Sequence, residues 1–226
     1  MVAKNWICVA VAIAAMLFLP ALAAQAEMIS NGSFETGKDF GGAAYTAVDP
    51  GTADLPGWTG PASFTWYING PVWGLPAQDG TAFMNLNSPT GAYTLSQSFA
   101  VVAGTEYAVS YYVHQRGNGY GFATLGVDAG TVTGADGFET AISGSGTAII
   151  LQTGLVEPEW KQYGFTFTPD TNTTATLTFG NDYIDGDHGD NDGIFLDMVS
   201  VTPEPATLGL LAIGGLAALR RRRARA

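Results

Sequence analysis

Apolar and polar positions alternate along much of the middle of this chain. Tyr107, Val109, Tyr111 and Val113 lie on one side of an extended run, and Ala108, Ser110, Tyr112 and His114 on the other. That is the period-two pattern of a strand with unlike faces. Runs of the same kind occupy 82–86, 93–101, 122–127, 147–152, 162–168, 174–179 and 194–201. Turn-forming clusters separate them, among them Asn87-Ser88-Pro89, Arg116-Gly117-Asn118-Gly119 and Pro169-Asp170-Thr171-Asn172. No amphipathic stretch with a 3.6-residue period competes with these strands. The spacing predicts an all-β fold, an antiparallel two-sheet sandwich of the jelly-roll kind.

From Asp49 to Gln78 the pattern breaks down, because Pro50, Pro56, Pro61, Pro71 and Pro76 interrupt Trp58, Phe64, Trp66, Tyr67 and Trp73. Two explanations stand. The rings plug one end of the sandwich, or two or three of them, with Trp66, Tyr67 and Trp73 as candidates, form an exposed platform on which sugar rings stack through their apolar C–H faces.

Both ends of the chain carry longer apolar runs. Lys4 precedes an apolar stretch from Ile7 to Leu22, and Ala24-Gln25-Ala26 supplies the small residues that a signal peptidase reads. Residues 1–26 are therefore expected to be a cleaved signal peptide, with Glu27 the first residue of the mature chain. Cys8, the only cysteine, leaves with it, so the mature chain offers no thiol for disulfides, catalysis or Cys-based metal sites. At the other end, Pro203-Glu204-Pro205 precedes an uncharged run from Ala206 to Leu219 and then Arg220, Arg221, Arg222, Arg223 and Arg225. Fourteen helical residues would span roughly 21 Å, short of a hydrocarbon core of about 30 Å. Arginine stems that snorkel to the interface would help such a segment cross. Clustered arginine stays cytoplasmic, so everything before the Pro-Glu-Pro element is expected outside.

Charge narrows the remaining 176 residues, 27–202, which suffice for one domain with a sizeable core. They hold three basic residues, Lys38, Arg116 and Lys161, against nineteen acidic ones, a formal charge of −16. Nucleic acid and anionic lipid are thereby disfavoured as partners of the folded part. Catalytic signatures are weak. There is no Gly-x-Ser-x-Gly elbow and no phosphate-binding glycine loop. The only histidines are His114 and His188, and no pair of carboxylates stands out as a glycosidase pair. The expectation is a non-enzyme. The densest acidic run, with Asp182, Asp185, Asp187, Asp190 and Asp192, lacks EF-hand spacing and its terminal Glu; it is a solvated turn or, through Asp185, Asp187, Asp190 and Asp192, an irregular calcium loop.

The order Pro203-Glu204-Pro205, apolar run, arginine cluster at the C-terminus resembles the PEP-CTERM sorting signal of Gram-negative bacteria. The resemblance implies recognition by an exosortase, a membrane protease that cuts at or near the motif, and delivery to the cell surface or the extracellular polysaccharide matrix after a transient stay in the inner membrane. A plain tail anchor that is never cut is the alternative. The ectodomain has its own resemblance. Asn31-Gly32-Ser33-Phe34-Glu35, Leu55-Pro56-Gly57-Trp58, Leu95-Ser96-Gln97-Ser98-Phe99, Gly104-Thr105-Glu106-Tyr107 and the closing Ile194-Phe195-Leu196-Asp197-Met198-Val199-Ser200-Val201 together look like secreted galactose-binding-like β-sandwich domains, a group that includes carbohydrate-binding modules. That likeness implies a structural calcium ion tying first strand to last through Glu35 and Asp197. Relatives often carry a second acid beside the closing Asp, where this chain has Met198. Three roles are open: a surface or matrix protein that binds exopolysaccharide without catalysis, a surface-displayed carbohydrate-active hydrolase, or a self-associating scaffold.

Overall fold

A computed structural model describes residues 26–60, 65–72, 74–86, 93–116, 120–134, 140–143, 147–150, 159–182 and 193–204. These residues form strands and turns, and among them no helix is long and apolar enough to cross a membrane. The compact unit spans Glu27–Thr202. The segments expected to be the signal peptide and the C-terminal helix lie outside the described residues, as do Asp185, Asp187, Asp190, Asp192, Trp73, Pro205, Arg220, Arg221, Arg222 and Arg223.

Among the described residues there are twelve strands: β1 (Tyr45–Val48), β2 (Thr65–Asn69), β3 (Ala82–Asn85), β4 (Tyr93–Val101), β5 (Tyr107–Arg116), β6 (Tyr120–Val127), β7 (Val132–Gly134), β8 (Thr140–Ser143), β9 (Thr147–Ile150), β10 (Lys161–Pro169), β11 (Thr173–Asp182) and β12 (Gly193–Pro203). A seven-stranded sheet runs β1-β2-β3-β12-β5-β10-β7, and a five-stranded sheet runs β4-β11-β6-β9-β8. From β3 to β7, and again from β10 to β12, each strand lies in the sheet opposite its predecessor. This alternation makes the expected two-sheet jelly roll.

Period-two alternation places the core. Leu95, Phe99 and Val101 of β4, Ala123, Leu125 and Val127 of β6, and Ala175, Leu177 and Phe179 of β11 all face inward. Between them Thr94, Ser96, Ser98, Thr124, Thr174, Thr176 and Thr178 face the other way. Antiparallel register sets these residues opposite one another, as in Leu177 between Gln97 and Leu125. Tyr67, Met84, Tyr111, Val113 and Leu196 close the core from the larger sheet. Trp58 is fully buried there: its ring lies 5.3 Å from Phe34 and 6.3 Å from Phe179, and its indole N–H donates to the Asn31 carbonyl at 3.0 Å.

The first residues of the unit lie against its last strand. Residues 28–32 run beside β12, with Met28 N–H donating to the Val201 carbonyl and Val199 N–H to the Gly32 carbonyl, both at 2.9 Å. A Cβ on Gly32 would sit 1.9 Å from the Val199 oxygen, so only glycine permits this approach. Strand β12 itself changes phase. Ile194 and Leu196 face the core, but so do Val199 and Val201, which means one extra residue enters between. The insertion falls at Asp197-Met198, where Met198 takes a left-handed φ of 50° and forms a bulge that turns the Asp197 side chain toward the β2–β3 loop.

Candidate functional site

The outer face of the seven-stranded sheet carries a second apolar cluster of Ile68, Val72, Phe83 and Phe195, all buried, with Leu75, Ala77 and Trp160 packed against it. Strand pleating alone would leave these residues in water. They are covered instead by the β2–β3 loop, 70–81, and the fold ties that loop down along its length. Gly70 N–H donates to the Thr81 carbonyl at 2.7 Å and closes the neck. Val72 and Leu75 exchange backbone hydrogen bonds of 3.1 and 2.9 Å. Trp160 donates its indole N–H to the Pro76 carbonyl at 2.8 Å.

Two carboxylates from opposite ends of the sequence hold the far side of the loop. Asp197 Oδ2 accepts the N–H groups of Gln78 and Asp79 at 2.9 and 3.1 Å, and its Oδ1 accepts that of Met198 at 2.7 Å. Glu35 Oε1 accepts from Thr81 N–H at 2.9 Å and Ala82 N–H at 2.8 Å, and Oε2 from the Thr81 hydroxyl at 3.1 Å. Gly80 lies between these anchor points at φ 60°, and a Cβ there would fall 2.3 Å from the Glu35 carboxyl carbon. Asp197 is wholly buried. Burial pushes its carboxyl up to about 7, the Asp79 charge adds to the rise, and the three backbone N–H groups oppose it.

The fold therefore brings Glu35 and Asp197 to one loop, but what meets them there is amide hydrogen. A calcium ion needs six to eight oxygens, with carbonyls turned inward. Here Oδ2 and Oε1 each receive two N–H donors, the polarity opposite to that of an ion's shell. Among the described residues no group of three or more His, Cys, Asp or Glu side chains converges as a metal site would require. Through these hydrogen bonds the pair works as a clamp on the loop.

Tyr67 does not belong to a sugar platform. It lies on the inward face of β2 at 2 % exposure, stacked on Phe40 at 4.4 Å, and its hydroxyl donates to the Phe34 carbonyl. Burial first, and the nearby Glu35 second, push its phenol up to about 12. The backbone of Trp66 pairs with that of Asn85; its side chain and all of Trp73 lie outside what is described.

A row of positions that sequence reasoning did not connect crosses the outer face. Position 66 pairs with Asn85, and Asn85 with Phe195. The Phe195 ring lies 5.8 Å from His114, and His114 lies 5.8 Å from Trp160. Phe83 closes the group at 5.4 Å from both Trp160 and Phe195. Next to Trp160, Gln162 of β10 is exposed and opposes half-buried Tyr112 of β5. The signal in the sequence was parity, since Trp160 and Gln162 share a face with Tyr112 and His114 once β5 and β10 pair.

The profile of the family described as protein of unknown function (DUF642) matches residues 27–202, most of the chain. This chain belongs to the DUF642 family. Residues 201–223 match the PEP-CTERM protein-sorting motif, so the DUF642 domain runs directly into a sorting signal. No curated protein matches the chain. Among solved structures it is similar to TmCBM61 in complex with β-1,4-galactotriose, at 17 % identity over 79 % of this chain and 99 % of that one, with a TM-score of 0.46. It is also similar to the N-terminal cellulose-binding domain of Cellulomonas fimi β-1,4-glucanase C, at 16 % identity over 79 % and 98 %, with a TM-score of 0.42. The enzymatically active domain of bacteriophage CBA120 tailspike protein 4 matches at 13 % identity and a TM-score of 0.46; 79 % of the DUF642 chain aligns, spanning 21 % of that protein.

Proposed function

We propose that this chain is exported by its signal peptide, held briefly in the inner membrane by its C-terminal helix, cut by an exosortase-type membrane protease, and delivered to the outer surface or extracellular matrix. The observation that carries this reading is the sorting motif at 201–223, placed where the folded unit ends. Intact mass of the protein recovered from its native cell tests it. The expected species begins near Glu27 and lacks the arginine cluster; a species still ending in Ala226 overturns the reading.

The sandwich acts without catalysis and binds exopolysaccharide. In support, the two carboxylates that the fold gathers, Glu35 and Asp197, are taken up by backbone N–H groups, a structural use. The outer sheet face also offers aromatic rings beside amide and hydroxyl groups, the mixture that stacks on sugar rings and reads their hydroxyls. Tyr112→Ala and Gln162→Ala, with Trp66→Ala and Trp73→Ala for the positions singled out by sequence, are expected to weaken binding on an array of bacterial polysaccharides without altering the near-UV circular dichroism. A flat array response for the unmutated protein overturns the polysaccharide reading. Sugar release abolished by one carboxylate substitution would overturn the non-catalytic one.

A further inference from the structure

The mature chain is expected to begin at Glu27, and that residue is docked. Glu27 Oε1 accepts the N–H of Val201 at 2.7 Å and that of Ile29 at 3.1 Å, while Oε2 accepts the Ser200 hydroxyl at 2.5 Å. Met28 N–H returns a bond to the Val201 carbonyl at 2.9 Å. A side chain at one end of the domain thus holds the backbone at the other end, 174 positions away. Val201 is fully buried in the core, and β12 continues to Pro203, the first residue of the Pro-Glu-Pro motif. No linker separates the folded sheet from the signal to be cut.

Proteases bind their substrates as extended strands, with residues on both sides of the scissile bond paired to the enzyme. Residues 199–202 cannot satisfy a protease cleft while they satisfy the sheet, Met28 and Glu27. Cleavage near the motif must wait for the end of β12 to fray, and its rate then follows the population of the frayed form. We propose that Glu27 is a latch on the sorting signal, holding residues 200 and 201 in the fold so that the membrane protease engages the Pro203–Pro205 motif only when that strand end opens. The latch forms in a fixed order, since the N-terminus is exported first and waits for β12 to arrive. This inference rests on the processing reading above.

The test is a pulse–chase of the full-length chain in a cell that carries the sorting protease, read by intact mass, which reports both ends of every species. Glu27→Ala removes all three acceptor contacts. It is expected to raise the rate of C-terminal processing about tenfold, the change that losing ~1.4 kcal/mol of hydrogen bonding gives. Ser200→Ala removes one contact and should raise the rate by a smaller factor. A four-residue Gly-Ser insertion between Thr202 and Pro203 should speed processing and abolish the effect of Glu27→Ala, because the motif no longer needs the strand to fray. Asp170→Asn weakens a different turn, the one in which Asp170 holds Thr131. It should leave processing unchanged and so separates the latch from general loss of stability. Equal processing rates for Glu27→Ala and the unmutated chain overturn the latch, as does a Glu27→Ala effect that persists in full with the insertion. Retention of the C-terminal segment by every variant, the unmutated chain included, overturns the processing reading instead.

Discussion

Between the sheets, Trp58, Phe34 and Phe179 are buried by strands that would alternate in this way in any sandwich, whereas on the outer face of the larger sheet Ile68, Phe83 and Phe195 are buried by a loop that has to be fastened. The inner cluster is nonlocal and continuous. The outer one is small and depends on polar contacts: Trp160 to Pro76, Asp197 to Gln78 and Asp79, and Glu35 to Thr81 and Ala82. The first should fail only with the whole fold, and the second can open by itself, since local stability follows local apolar contact.

The sharpest way to break this contrast is Trp58→Ala. It leaves a cavity in the inner cluster and takes the indole N–H from the Asn31 carbonyl, which keeps the Phe34 N–H at 3.2 Å, and should cost about 3–5 kcal/mol in urea denaturation, with all probes moving together. Next comes Asp197→Asn, which places an amide group against three N–H donors and should cost about 1–3 kcal/mol at pH 5. Because the folded carboxyl titrates near 7 and the unfolded one near 3.8, the native state holds the extra proton between those values. Stability from this group is complete below about pH 4 and falls as pH rises through 7, by ~2–4 kcal/mol. Thermal melts from pH 5 to pH 8 should show that decline in the unmutated protein and a flatter profile in Asp197→Asn, so the gap between the two narrows at high pH. Adding calcium or a chelator should leave the melting temperature where it is as far as Glu35 and Asp197 are concerned; a calcium-dependent rise that disappears in Asp197→Asn would break the assignment of this pair as a clamp.

Trp160→Phe keeps the ring and loses the bond to Pro76. It should cost about 1 kcal/mol, read as faster hydrogen exchange at residues 74–80 with little change in the global melt. Smallest is Lys38→Ala. The Lys38–Asp54 pair is 3.3 Å apart and its side chains are 42 % and 34 % exposed, so the loss should stay within about 0.5 kcal/mol.

Legibility in the sequence divides along the same line. β4 begins and ends where alternation places it, and β5, β6, β10 and β11 differ only at their tips, because each has one apolar face and one polar face. β12 differs only at its tips too, as an apolar run whose Phe195 faces the outer cluster. β2 was hidden. In Thr65-Trp66-Tyr67-Ile68-Asn69 Tyr67 faces the core and Ile68 the covered cluster, so alternation carries no sign of which is inside. That is why Tyr67 could be grouped with Trp66 although Tyr67 is buried in the core. β1, β7 and β8 are three or four residues long, too short for periodicity to register. The meeting of Glu35 with Asp197 was visible through resemblance. The polarity of the groups between them was not, because it depends on how the backbone turns at Gly80 and Met198.

The place of β12 has a consequence for biogenesis. The final strand to leave a translocation channel is the one that fills the middle of the larger sheet, between β3 and β5. Until then those two neighbours present bare edges, a state open to mispairing. Any holdase that guards this chain during export would be needed until the last dozen residues of the sandwich have emerged, and a nascent chain stalled before Gly193 would carry two half-sheets that cannot close on each other.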